Sequence, residues 1–183
     1  NNESLIIDYN IDMGDVTALN KNAYWGLGAR IICNNADAML SPETNDDYSG
    51  CEIFIADNWN GELTGKKIAY QDPLGVGAIE SNGVKYDVIL IFPQVKENNF
   101  WNVLLKRQDQ SENALDTEKH YAGSIDATDI IRKLNKLGLK TYDIWDVLFT
   151  LEVYGNEGSA VINSANVKKT GSVVYKANDL QKL

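Results

Sequence analysis

Residues 144–154, Ile144-Trp145-Asp146-Val147-Leu148-Phe149-Thr150-Leu151-Glu152-Val153-Tyr154, alternate between a wholly apolar set and a mixed set. A period of two marks a β-strand with one covered face, because successive side chains leave a strand on opposite sides. Trp145, Val147, Phe149, Leu151 and Val153 are therefore assigned to the core, and Asp146, Leu148, Thr150, Glu152 and Tyr154 to the opposite face.

Outward from that strand the same signature recurs. Runs rich in Ile, Val, Tyr, Phe and Trp read as strands at 4–11, 23–34, 51–57, 67–71, 84–92, 100–107, 120–125, 144–154, 159–168 and 172–176. Asn60-Gly61, Asn82-Gly83, Asn156-Glu157-Gly158 and Thr170-Gly171 punctuate them with residues that tolerate positive φ. Residues 154–159 read as a hairpin between two long strands. One segment breaks the period: after Ser124-Ile125-Asp126-Ala127-Thr128-Asp129, apolar residues fall at helical spacing up to Gly138. Asp126 or Thr128 can cap this short helix near 127–137, Asp129 lies in its first turn, and Gly138 ends it. The expected fold is all-β, a two-sheet antiparallel β-sandwich with jelly-roll connections, and a barrel as second choice, with the helix over an end or edge. A chain of 183 residues, 44% hydrophobic and without a linker, is expected to form one domain over 1–183.

Composition removes several function classes. With 17 Lys plus Arg against 26 Asp plus Glu, the formal charge of −9 argues against nucleic acid, whose phosphates need a basic face. His120 is the single histidine, which weakens His-based zinc sites and Ser/His/Asp or Cys/His engines. An apolar run of about 18 residues is missing, so no membrane span is expected. The chain opens at Asn1 without a leader pattern and reads as an excised module, with any attached catalytic or scaffold modules outside it. Cys33 and Cys51 lack CxxC spacing; a disulfide and two buried thiols fit equally well. No cofactor is expected. A structural calcium ion is left open, with Asn45-Asp46-Asp47, or Asp126 with Asp129, as oxygen donors, although the spaced acidic loop pattern is missing.

The aromatic set, 4 Trp, 9 Tyr and 4 Phe, favours rings with a polar handle. In Tyr24-Trp25-Gly26-Leu27-Gly28-Ala29-Arg30-Ile31-Ile32-Cys33, core-facing Leu27, Ala29, Ile31 and Cys33 bring Trp25 inward and leave Tyr24, Gly26, Gly28 and Arg30 as a flat strip. A bulge at the glycines would reverse that parity and expose Trp25. Trp101 and Trp145 read as core, whereas Trp59, with polar neighbours and a turn signal after it, reads as an exposed indole with a binding role, loop packing being the alternative. Glycoside hydrolysis needs two carboxylates across a cleft, and no local acidic pair stands out; Glu152 is the best single candidate, although the reading favoured for it is a solvated strand carboxylate.

Two stretches carry a family resemblance: 121–131, with its Asp at the start of a short helix, and 148–167, a strand, a glycine turn and a second strand. They resemble the β-jelly-roll carbohydrate-binding modules attached to bacterial plant-cell-wall-degrading, cellulosomal-type proteins. Those modules often carry an apolar-Asp-Asn-apolar strand where this chain has Asn163-Ser164. The resemblance implies an extracellular, non-catalytic module that binds a polysaccharide of β-glucan or xyloglucan type and targets an attached enzyme or scaffold. Trp59 and Tyr24, or Trp25 under reversed parity, with Tyr154 third, are the expected stacking platforms. Asn58, Arg30, Glu152 and Gln108 are the expected hydrogen-bonding partners. The alternatives are a β-sandwich glycosidase, in which Glu152 acts with another acid, and a cell-surface adhesin or protein-binding domain.

Overall fold

The alternating stretch forms the edge of the larger of two facing sheets. The computed structural model describes residues 4–20, 23–34, 37–38, 50–61, 74–91, 100–110, 120–140, 143–169 and 172–176. In chain order the strands are β1 (Leu5–Ala18), β2 (Tyr24–Asn34), β3 (Asp37–Ala38), β4 (Gly50–Gly61), β5 (Leu74–Ser81), β6 (Val84–Ile91), β7 (Phe100–Arg107) and β8 (His120–Asp126). Helix α1 (Ala127–Lys136) follows, then β9 (Leu139–Lys140), β10 (Asp143–Tyr154), β11 (Asn156–Lys169) and β12 (Ser172–Lys176). Six strands pair in the order β10-β2-β4-β7-β6-β5 and four in the order β12-β11-β1-β8, with β3 and β9 as a small third pair. The ladders are antiparallel except β4 with β7, which run parallel. The β-jelly-roll sandwich expected from the alternation is the fold observed.

The register explains the core. Trp25, Leu27, Ala29, Ile31 and Cys33 of β2 and Ile53 and Ile55 of β4 meet Ile7, Tyr9, Ile11 and Met13 of β1 between the sheets. Val147, Phe149 and Leu151 of β10 pack against the same core, on the parity assigned to them. The side chains of Trp101 and Trp145 lie outside the described residues, as do the strand expected at 67–71 and the Asn45-Asp46-Asp47 loop. Asn82 (φ 50) and Gly83 (φ 79) make the turn between β5 and β6, the Asn-Gly geometry that matches strand twist. Cys33 and Cys51 are buried free thiols directly opposite each other on β2 and β4. A hydrogen bond to Cys33, added to burial, pushes the Cys51 thiol above its ordinary range.

The expected hairpin at 154–159 is corrected. β10 pairs with β2 and β11 with β1, so the chain changes sheets there. A single residue, Gly155 at φ 63, separates β10 from β11, whereas a hairpin needs about two. The positive φ of Gly155 lies in the left-handed region, which favours glycine at this corner.

The helix caps one end of the sandwich. Asp126 accepts from the Asp129 backbone N–H as the N-cap, and Ile130, Ile131 and Leu134 turn inward. Asp129 accepts from Ser81 Oγ at 2.7 Å and from Lys133 Nζ at 2.7 Å, tying the helix to the end of β5. Asp126 and Asp129 thus act as helix cap and helix anchor, which corrects their reading as calcium donors.

Candidate functional site

A bulge in β4 decides which side chains reach the outer face of the six-stranded sheet. Leu27 pairs with Asn58 and Gly28 with Ala56, leaving Asp57 as the extra residue. Gly28 permits it: a Cβ there would stand 2.0 Å from the Ile55 carbonyl oxygen. The extra residue keeps both Asp57 and Asn58 inside and turns Trp59 to the outer face, with Phe54 and Ala56. The sequence pattern allowed a bulge near these glycines; it lies in the neighbouring strand, so Trp25 stays in the core at 1% exposure.

Inside, the bulge builds a closed polar knot. Asp57, 3% exposed, accepts from Tyr86 Oη at 2.7 Å on one oxygen and from Tyr9 Oη at 2.5 Å on the other. Asn58 Nδ2 donates to Tyr9 Oη at 2.6 Å, and Arg107 Nη1 lies 3.4 Å from Asp57. Tyr9 belongs to β1, so the knot joins the two sheets. Burial and the Asp57 charge push both phenols well above their ordinary range, which keeps them as donors.

On the outer face the register brings four functional side chains together. Arg30 of β2 lies between Glu52 of β4 and Glu152 of β10, with Nη2 donating to Glu152 Oε2 at 2.6 Å. Its Nε lies 2.9 Å from Glu52 Oε1 but out of hydrogen-bond alignment, so that contact is an ion pair. Tyr24 Oη donates to Glu152 Oε1 at 2.7 Å. Burial, and then the Glu152 hydrogen bond, push the Tyr24 phenol above its ordinary range. Tyr154 stacks on Tyr24 with ring centroids 5.4 Å apart and stays exposed. Phe54 supports the guanidinium from below, its centroid 5.5 Å from Arg30 Cζ. The three charged side chains are each about a quarter to a third exposed, which leaves them in reach of a ligand.

Of the residues expected at a ligand surface, Tyr24, Tyr154, Arg30 and Glu152 form this one cluster. Trp59 does not read out as expected: its indole is 3% exposed, Nε1 donates to the Arg107 carbonyl at 2.9 Å, and Lys106 Nζ covers the ring at 4.0 Å. No ring face is left for a sugar, which corrects the exposed indole. Trp25 and Asn58 point into the sandwich, so neither is available at the outer surface. Gln108 lies beyond the end of β7 and donates to Asp87 at 2.7 Å. Glu52 was missed. Its signal was a lone carboxylate inside the apolar run Cys51-Glu52-Ile53-Phe54-Ile55-Ala56, at the parity opposite the core. His120 sits on the other sheet, 2.6 Å from Asp12. Among the described residues no group of three or more His, Cys, Asp or Glu could hold a metal ion, and no helix is long and apolar enough to cross a membrane.

Neither a family profile nor a curated protein matches the sequence. Solved structures do match in fold. Wild-type ENZbleach xylanase superposes with a TM-score of 0.58 at 18% identity, over 94% of this chain and 63% of that one. A cellulase derived from the Cel12A enzyme of Rhodothermus marinus gives 0.55 at 13% identity, over 89% of this chain and 64% of that one. The chain therefore spans less than two thirds of either structure, and at such identity the likeness establishes the fold alone, a β-jelly roll. It also overturns the expectation of a non-catalytic binding module. The solved chains named here are a xylanase and a cellulase and not binding modules, so the expectation of no enzyme activity is withdrawn with it.

Proposed function

We propose that this chain is a polysaccharide hydrolase of the xylanase or cellulase type, which cleaves a β-linked cell-wall glycan lying across the outer face of the six-stranded sheet. The observation that carries the reading is the convergence of Glu52 and Glu152 on one guanidinium. Because both carboxylates touch Arg30, their near oxygens are at most about 8 Å apart, which does not exceed the roughly 5 to 10 Å over which paired carboxylates work on a glycosidic bond.

The surroundings divide the labour. Tyr24 and Arg30 each donate to Glu152, and these two bonds fix the orientation of the carboxylate assigned as nucleophile or base. Glu52, on the other side of Arg30 and without an aligned hydrogen bond to it, is assigned the acid role at the leaving oxygen. The exposed Tyr154 ring offers a sugar face a place to stack beside the carboxylates. Two carboxylates and water suffice for this chemistry, without a cofactor. Because near-neutral glycans need no charge complement, the net charge of −9 is compatible with such a substrate.

The direct test is release of reducing ends from xylan, xyloglucan and mixed-linkage β-glucan by the purified chain, with product sizes resolved by chromatography. Chain cleavage of at least one of these is expected. Intact polymer in every incubation with folded protein would refute the proposal.

A further inference from the structure

The chain has two cysteines, and the fold sets them face to face. Cys33 is the last residue but one of β2 and Cys51 the second of β4, and the antiparallel ladder pairs them directly. Opposed residues in such a ladder hold their Cα atoms about 4.5 or 5.5 Å apart with both side chains on one face, and a disulfide needs roughly 4.4 to 6.8 Å. Both thiols lie in the core and are hydrogen-bonded to each other. Only the pair Asn34 and Gly50 follows them in the ladder. Strand ends open most readily, so a reagent reaches the thiols by local opening while the rest of the core stays closed. A bound metal would need further ligands, and among the described residues no group of three or more His, Cys, Asp or Glu could hold one.

We propose that Cys33 and Cys51 are a reversible redox staple, which a small disulfide such as oxidised glutathione closes into a bridge between β2 and β4 and a dithiol reductant opens again. The Cys51 thiol donates to Cys33 and lowers its pKa, so Cys33 loses its proton first. The Cys33 thiolate attacks one sulfur of oxidised glutathione, whose S–S bond breaks, and the departing glutathione takes up the proton. Cys51 then attacks Cys33 Sγ in the mixed disulfide, and its proton ends on the second glutathione as that leaves. Two protein thiols and one small disulfide thus become one protein disulfide and two small thiols. Glu52 follows Cys51 directly and Arg30 precedes Cys33 on β2, so the bridge ties together the strand ends that carry this ion pair. The redox step itself is independent of the proposed hydrolase activity.

Because the chain has no other cysteine, counting thiols reads the pair directly. The folded, reduced protein is incubated with oxidised glutathione, and its remaining thiols are counted with N-ethylmaleimide in denaturant alongside the intact mass. A monomer without free thiols and lighter by two hydrogens is expected, and dithiothreitol is expected to restore both thiols. The oxidised form is expected to melt roughly 5 to 10 °C above the reduced one, since a bridge between residues 33 and 51 restricts the unfolded chain. The Glu52 amide is expected to exchange with deuterium at least about tenfold more slowly once the strand end is tied. Cys51→Ala is expected to abolish the difference in melting between the two conditions; should that variant not fold, the wild-type comparison decides alone. Two titratable thiols after oxidation, a glutathione adduct that goes no further, disulfide-linked dimers, or an oxidised monomer that melts no higher than the reduced one would each overturn the proposal.

Discussion

Two regions of this molecule place carboxylates beside an arginine, and they are opposites in design. In the interior, Asp57 takes hydrogen bonds from Tyr9 and Tyr86 with Arg107 at 3.4 Å, and is shut off from solvent. On the outer face, Glu52 and Glu152 share Arg30 while each remains partly exposed. A carboxylate whose acceptors are all occupied by buried partners fixes a structure, because every change of its charge state breaks something. Carboxylates that share one cation at the surface can exchange that partner for a substrate. The first site holds the structure together, and the second is the one that the proposed hydrolase activity would use.

The largest effect expected from this contrast falls on the interior. Asp57→Ala leaves Tyr9, Tyr86 and Arg107 without their common acceptor and is expected to cost about 3–5 kcal/mol of stability, measured by urea denaturation; a loss below about 1 kcal/mol would mean that the knot does not hold the sheets together. Next comes the outer face. Tyr24→Phe removes one of the two donors to Glu152 and is expected to slow glycan hydrolysis about tenfold, equivalent to roughly 1.4 kcal/mol. An unchanged rate would detach Tyr24 from the chemistry. Trp59→Phe tests the burial of that indole: losing the bond to the Arg107 carbonyl should cost about 1 kcal/mol in denaturation and leave hydrolysis unchanged. A fall in substrate affinity instead would restore Trp59 to the binding surface.

The smallest effect is in acid. Burial acts upward on Asp129, but hydrogen bonds from Lys133 and Ser81 outweigh it and hold the carboxyl below its usual range. Arg107 does the same for Asp109, while Asn163 and then His120 lower Asp12. A carboxyl depressed in the folded state contributes stability above its unfolded pKa and loses that contribution as pH falls through the folded value. The melting temperature is therefore expected to decline gradually below about pH 4 and to stay level between about pH 5 and 7. A melting temperature unchanged down to about pH 2 would contradict these pairings.

Much of this was legible in the sequence, for identifiable reasons. The alternation over 144–154 gave the strand and its inner Val147, Phe149 and Leu151, while Val153, assigned with them, is exposed where the strand nears the Gly155 corner, and the Asp126 cap with Gly138 bounded the helix to within a residue of its observed end at Lys136. Periodicity cannot show an inserted residue in a neighbouring strand, so the Asp57 bulge stayed hidden, and with it the inward turn of Asn58 and the burial of Trp59. The Gly155 corner has the composition of a hairpin, and only the hydrogen bonds to β1 and β2 distinguish a change of sheet. β5 was not anticipated, because Gly75 and Gly77 dilute its alternation. The site was half visible: Tyr24, Tyr154, Arg30 and Glu152 share strand parity that can be counted. Glu52 needed the register between β2 and β4, which places Arg30 opposite Phe54 and beside it.

The measurement that bears most directly on the account is the rate of reducing-end release by wild type, Glu152→Gln and Glu52→Gln on whichever glycan the wild-type chain cleaves, with all three shown to be folded by matching circular dichroism. The carboxylate pair predicts that each variant loses at least about 100-fold in rate, the scale of removing a positioned acid or base. Wild-type rates in both variants would contradict it and leave the cluster as a surface ion-pair network.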